Sequence, residues 1–560
     1  MSTNNPSATQ QAVAEFLASQ GRAPAATPKV KPTVLVPGRG ISNSSSARQL
    51  FEAVAESREL FYRGGVVVEL VNQGNGHSIE VLKPAAAQSR LEKYVDFAKA
   101  GATPHDPATS TTINKGLAEM YLSSEECREL LPKLNGIIRF PLVVEQGADL
   151  RLLENGYDAG TGFYVESAKE PPEVDLDNAV SLITGLLDEF DFLTPGDRSR
   201  AIASMLTPAM KLSGLIKGSI PVDVAEANAS QSGKTYRQKM IAALYNQNVA
   251  VVTKKGAGVG GMEETFSDHL IKGQPFIQFD NVRGKLDSQF LEAFLTATTS
   301  FSARIPYSGS ITVDPSKFIV FISSNGFEAT KDLTNRASII RIKKREGYQY
   351  RSLNGKDTLE VIFEWQEAWY GAVLAVINAW HERGKPRTAE TRHDFREWCQ
   401  VMDWIVQNLF HAAPLMDGHD VAKERAASPQ LTFLRALAIA VNEEHRLNQT
   451  LSATQLVDLC IERDIPIPGL ADDKQGDVEA GKKQLGKIMG SLFGERNELQ
   501  VEEFSVARTE APAPNEHGNT QMLKKYQFAR AVQVPPAPVS SGQASTPPEN
   551  PANTQSTQST

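Results

Sequence analysis

The stretch Ile220-Pro-Val-Asp-Val-Ala-Glu-Ala-Asn-Ala-Ser-Gln-Ser-Gly-Lys-Thr235 most constrains what this chain can fold into. A strand enters, a loop of small residues follows, and Lys234-Thr235 open a helix that the pattern carries through Tyr236–Tyr245. A strand, a tight loop and a helix in this order predict a parallel α/β sheet, because parallel strands need a crossover that a helix supplies. The loop fits the spacing G-x-x-x-x-G-K-[ST]. It runs from Asn228 through Ala229, Ser230, Gln231 and Ser232 to Gly233, Lys234 and Thr235. Asn228 replaces the first glycine, and asparagine tolerates positive φ well enough to keep the turn. The spacing suits phosphate chemistry. Backbone N–H groups of the loop and of the helix N-terminus cradle phosphate oxygens. Lys234 places a point charge on the β- and γ-phosphates, and Thr235 offers its hydroxyl to Mg2+, so ATP and Mg2+ are the expected ligands.

Partners for such a loop lie downstream. Pro275-Phe-Ile-Gln-Phe-Asp280-Asn281 reads as a short apolar strand ending in an acid. An aspartate at the carboxyl end of a parallel strand sits where these sheets bind ligands, and Asp280 can hold the metal through water. A second strand, Lys317–Asn325, ends in an amide that could orient water or read the γ-phosphate. Arg336, before a further strand, suits a finger that a neighbouring subunit offers to the γ-phosphate. Arg341 is a second candidate, and Asp332 is near enough to be a salt-bridge partner for either.

Short apolar runs alternate with helical stretches from 219 to about 345, which extends the α/β reading. The expected organisation is a disordered N-terminus over 1–33, an α+β domain over 34–170 and a P-loop ATPase domain over 171–350. A helical region over 351–448, a winged-helix-like domain over 449–532 and a disordered tail over 533–560 follow. Gly65–Val71 alternates as a strand, and Gly136–Val144 is a strand broken by Pro141. Thr194-Pro195 marks a helix start. Trp365, Trp369, Trp380, Trp398 and Trp404 are expected in a core. Leu499–Val506 and Lys525–Phe528 read as two strands after helices, the pattern behind the winged-helix reading.

Composition narrows the class. The chain has 560 residues, 41% of them hydrophobic, with a net charge of -8. That excludes a wholly disordered chain and a general coating affinity for nucleic acid, though not a local basic channel. Three separated cysteines make neither a disulfide framework nor a zinc site. No secretory signal and no membrane-spanning run is read, so a cytoplasmic protein without a membrane partner is expected.

With Lys234, Asp280, Asn325 and Arg336 in this order, the chain resembles AAA+ ATPases of the superfamily 3 helicase type. More closely it is similar to the ATPase portion of phage and mobile-element primase-helicases. The ordered set is Ser232–Thr235, Phe279-Asp280-Asn281, Leu295–Thr299, Arg304, Ser323-Ser324-Asn325 and Asp332–Arg336, preceded by Gly156–Tyr164, and it spans roughly residues 55–530. The resemblance implies an ATP-dependent DNA helicase or translocase that works as a homo-oligomer, a hexameric ring, with ATP at the interfaces. It implies a hairpin over 302–314 that tracks single-stranded DNA through Arg304 and Tyr307. It also implies a separate primase or replication-initiation protein as partner, since no primase metal site stands out in the first 170 residues.

Two positions depart from the group. Asn228 replaces a glycine, and Asn281 follows the metal aspartate where many such ATPases carry a catalytic glutamate. Glu264 is the candidate for that role, with Glu226 the runner-up. Two other functions stay open. One is an ATPase switch that loads or remodels a partner without translocating. The other is a nucleotide-holding module with little hydrolysis, its winged helix binding DNA. Seven basic residues against two acids over 331–351, and Lys482, Lys483, Lys487, Lys524 and Lys525, are further basic candidates, as are Lys254 and Lys255.

Overall fold

The computed structural model describes residues 31–74, 76–103, 105–167, 170–227, 232–252, 261–305, 309–345, 355–514 and 520–531. Asn228, Ala229, Ser230, Gln231, Lys254, Lys255 and Tyr307 lie outside them, as do the two polar termini 1–30 and 532–560. The chain divides into two units, Met1–Ala436 and Leu437–Thr560.

In the first unit the alternation at Gly65–Val71 forms β2 (Val66–Asn72). It pairs antiparallel with β1 (Leu60–Arg63) and β3 (His77–Val81). Helix α1 (Asn43–Ala55), capped by the Ser42 hydroxyl, buries Leu50, Phe51 and Val54 against Leu60 and Val67 of this sheet. Pro141 breaks its strand as the sequence predicts: Gly136–Ile138 ends and pairing resumes at Val143–Gln146.

Two helices follow, α2 (Leu176–Leu187) and α3 (Pro195–Leu212). Thr194 and Asp197 form a capping box at the start of α3, each side chain accepting from the other's backbone N–H. Asp197 does more than cap. It is fully buried, and its carboxylate accepts from Arg200 at 2.7 Å and from Arg341 at 3.0 Å. Arg341 is therefore an interior ion-pair partner and not a free finger, which corrects the second arginine candidate.

The core is a mixed α/β arrangement around a six-stranded sheet. Its strands are β4 (Asp191–Phe192), β5 (Val222–Ala227), β6 (Ala250–Val252), β7 (Phe276–Val282), β10 (Ile319–Asn325) and β11 (Ala337–Lys343). They lie in the order β4-β11-β5-β10-β7-β6, with β4 antiparallel at one edge and the other five parallel. Residues 222–227 are all buried, and the two acids among them, Asp223 and Glu226, are met by the interior arginines Arg237 and Arg425. Helix α4 (Lys234–Leu244) is fixed to the sheet by polar groups. Arg237 pairs with Asp223, and Gln238 donates to the Asp223 carboxylate at 2.8 Å and to the Ile322 carbonyl at 2.9 Å. Between β7 and β10 the chain makes a hairpin of β8 (Phe301–Ile305) and β9 (Gly309–Val313), in register Phe301↔Val313 to Ile305↔Gly309. The hairpin lies where the sequence puts it.

Later helices cover the sheet. In α7 (Gln366–Glu382) and α8 (Arg396–Asn408), Trp380 and Trp398 are buried, and the Trp398 Nε1–H donates to Thr207 Oγ1 at 3.0 Å. Trp365 is the exception to the expected core, 58% exposed at the start of α7.

The second unit holds α9 (Ala453–Glu462), α10 (Val478–Phe493) and a four-stranded antiparallel sheet. Its strands are β12 (Thr450–Ser452), β13 (Glu498–Val501), β14 (Phe504–Pro514) and β15 (Thr520–Arg530), in the order β12-β15-β14-β13. The single strand expected at Leu499–Val506 is two. Glu502 takes φ +49 and turns the chain so that Val501 pairs with Phe504. Among the described residues no helix is long and apolar enough to cross a membrane.

Candidate functional site

The carboxyl ends of β5, β10 and β7 lie side by side, because Ala227 pairs with Asn325 and Phe279 with Ile322. Gly233 opens α4 from this edge at φ +87, a left-handed conformation that glycine adopts without strain. Lys234 follows at the first helical position and is 8% exposed. Its Nζ donates to Asn325 Oδ1 at 2.7 Å. Burial lowers the Lys234 ammonium from its ordinary value; Asp280 opposes that effect and Arg283 adds to it.

Thr235 meets Asp280 one residue further on. Its Oγ1 donates to Asp280 Oδ1 at 2.9 Å and lies 3.3 Å from Ser323 Oγ. Ser323 itself donates to the same carboxylate oxygen at 2.7 Å and accepts the Asn281 N–H at 2.8 Å. The β7–β10 register shifts between Phe279 and Val282, and Asn281 takes φ +51. That irregularity releases Asp280 from the ladder and turns its carboxylate toward Thr235. Asn281 meets Ser323 through its backbone.

Four sequence-predicted residues thus converge: Lys234, Thr235, Asp280 and Asn325. Ser323, which the motif set names without a role, joins them. Its signal was its place two residues before Asn325 on the same strand, legible only once the β7–β10 register is known. Ser232 Oγ, just before Gly233, is buried and has no hydrogen-bond partner among the described residues. A buried hydroxyl left empty beside a helix N-terminus fits an anionic oxygen. Among the described residues no group of three or more His, Cys, Asp or Glu is placed to hold a metal ion. A Mg2+ here would take Thr235 and Asp280 as its protein oxygens and lean on phosphate for the rest, as this ion commonly does.

The remaining candidates fall elsewhere. Arg336 precedes β11 at Ala337, which pairs with Val222 at the opposite end of β5 from Ala227. Five residues of strand put it roughly 16 Å along the sheet from the Lys234 edge, at about 3.3 Å per residue. Glu264 lies in the first turn of α5 (Met262–Ile271). Glu226 is wholly buried and pairs with Arg425 and with Arg435, the latter at 3.4 Å. Two arginines neutralise it inside the protein, so it is removed as a candidate base. Arg304 is exposed on β8, while Tyr307 lies outside the described residues. The basic window 331–351 is partly consumed by structure: Arg341 pairs with Asp197, and Arg345 donates to the carbonyls of Asp188 and Phe190 at 3.2 and 3.3 Å.

No family model matches the chain. No curated protein matches it either. Among solved structures it is similar to the apo A form of the NrS-1 C-terminal region, at 12% identity and a TM-score of 0.35, covering 80% of this chain and 91% of that one. It is also similar to Cch of SCCmec type IV, titled an active helicase, at 11% identity and a TM-score of 0.30, covering 83% of this chain and 91% of that one.

Proposed function

We propose that the chain is a P-loop ATPase of the AAA+/superfamily 3 kind, an ATP-dependent DNA translocase of the phage or mobile-element replication type. The observation that carries the reading is the convergence of Lys234, Thr235, Asp280 and Asn325 at one edge of a parallel sheet, held by bonds of 2.7 to 2.9 Å. In this reading Asn228–Thr235 form the phosphate loop. Lys234 binds the β/γ-phosphates, and Asn325, its present partner, releases it to read the γ-phosphate or orient water. Bound Mg2+ would neutralise phosphate charge from Thr235 and Asp280. With Asn281 lacking a carboxylate and Glu226 sequestered, Glu264 is the residue assigned to polarise the attacking water.

Arg336 sits too far along the sheet to serve its own Lys234, so it is assigned to the site of a neighbouring subunit. That makes a closed homo-oligomer, a hexameric ring, the working form. The β8–β9 hairpin, with Arg304 and Tyr307, is assigned to single-stranded DNA. The second unit is read as a winged helix. A separate primase or initiation protein remains the proposed partner.

The asparagine at 281 favours one second reading, a nucleotide-holding module with little hydrolysis whose winged helix binds DNA. Strand displacement decides between them. A tailed duplex should be unwound by the wild type with ATP and not by Lys234→Ala. Nucleotide binding with neither turnover nor displacement on either tail polarity would replace the translocase with that module.

A further inference from the structure

Away from the Lys234 edge, the base of the hairpin and the turn between β1 and β2 enclose a cavity of about 500 Å3. The wall is built by backbone contact: the Thr312 N–H of β9 donates to the Gly64 carbonyl at 2.7 Å. Gly64 takes φ +56, and a Cβ there would strike the Thr312 carbonyl, so only glycine permits this approach.

The lining is cationic. Arg63, Arg128, Lys133 and Lys317 face the cavity, with Asp314 the one acid there among the described residues. Asp314 is already engaged in accepting the Ser316 N–H at 2.9 Å. Arg63 is 4% exposed, and its donors go to backbone carbonyls of Leu134, Asn135, Leu270 and Ile271. Those carbonyls satisfy its hydrogen bonds without neutralising its charge, and burial draws its pKa down to about 10. Lys317 rests on the Phe163 ring at 5.6 Å. Arg128 and Lys133 are exposed and form no ion pair among the described residues. On a chain of net charge -8, this concentration of unpaired positive charge in a concavity is local. The Thr299 and Thr312 hydroxyls and the half-buried Tyr62 ring complete a lining that suits phosphate, sugar and base together.

We propose that this cavity holds the sugar-phosphate backbone of a single-stranded nucleic acid, with Arg128 and Lys133 as outer phosphate contacts and Arg63 as the buried charge behind them. The choice of strand rests on the translocase reading; the charge and the shape do not. The site lies at the base of the hairpin, so it gives the strand a hold that Arg304 at the hairpin does not supply.

The test is fluorescence anisotropy of a labelled oligo(dT) of about 20 nucleotides, without ATP, across a salt series. The wild type is compared with the double variant Arg128→Glu/Lys133→Glu, with thermal melting to confirm folding. The affinity should fall at least roughly tenfold, and the slope of log K against log salt should shrink by about 1.4, or about 0.7 for each lost single-strand phosphate contact. Unchanged affinity and slope would overturn the proposal. So would wild-type binding of inorganic tripolyphosphate that the variant loses while its oligonucleotide binding stays intact, which would assign the cavity to a small polyanion. A protein that binds DNA through these cations but hydrolyses no ATP would sink the motor reading and leave this one standing. Active turnover with DNA affinity blind to the charge reversal would do the opposite.

Discussion

Ser323→Ala is the most informative single change at the Lys234 edge. The serine is wholly buried, and its hydroxyl touches three partners: Asp280 Oδ1 at 2.7 Å, the Asn281 N–H at 2.8 Å and Thr235 Oγ1 at 3.3 Å. Alanine removes the oxygen without disturbing the fill of the strand. Asp280 Oδ1 then keeps only the Thr235 donor. One hydrogen bond to a charged group is worth about 1.5–3 kcal/mol. The Asn281 N–H loses its acceptor, but that residue is exposed, so water limits the second cost to about 1 kcal/mol. The folded state should lose about 2–4 kcal/mol. A group that orients a metal ligand usually changes metal affinity or activity by roughly 10–100-fold when removed. ATP turnover at limiting Mg2+ should fall by that factor, and excess Mg2+ should recover much of it. Wild-type turnover at limiting Mg2+ in a folded Ser323→Ala protein would refute the idea that Ser323 positions Asp280.

Three further outcomes follow from the same structure. Asp197→Asn leaves Arg200 and Arg341 buried without their carboxylate, so chemical denaturation should show a loss of about 3–5 kcal/mol. Burial takes His393 from 6.5 to about 4: its Nε2–H donates to Ala337 O at 3.3 Å and Nδ1 accepts from Phe395 N at 3.0 Å, so the folded ring is neutral. The unfolded chain therefore binds the extra proton between these values. The stability it adds is complete above about pH 6.5 and drains away as the pH falls toward 4, by up to roughly 3 kcal/mol, and His393→Gln should flatten that part of a Tm–pH curve. Finally, Lys234→Ala and Arg336→Ala proteins, each inactive alone, should regain ATPase activity when mixed, because some interfaces then join an intact loop to an intact arginine. No recovery in mixed oligomers would remove Arg336 from the neighbour's site.

What could be read from residues alone follows from locality. The strand and the helix that flank the loop within 220–245, and the helix start at Thr194-Pro195, are written within a few residues of chain, and each appears where the pattern puts it. Asp280 and Asn325 were visible because each ends an apolar run. The residues that local pattern mislabelled depend on partners far away in sequence. Glu226 looked available until Arg425 and Arg435, about two hundred residues later, closed on it. Arg341 looked like a surface finger until Asp197, on an earlier helix, took it inside. Ser323 gained its place only from the β7–β10 register and the left-handed Asn281, neither of which composition encodes. The split of 498–506 into two strands turns on Glu502 adopting positive φ, a conformation glutamate seldom signals. Trp365 broke the core pattern because it stands at a helix start with its ring outside.

The most direct measurement is steady-state ATP hydrolysis, with and without single-stranded DNA, for the wild type and Lys234→Ala. The account predicts turnover that DNA stimulates and that the substitution abolishes, since Lys234 is the charge set on the phosphates at the edge where Thr235, Asp280 and Asn325 meet. Nucleotide binding with no turnover in the wild type, or equal turnover in both proteins, would contradict it.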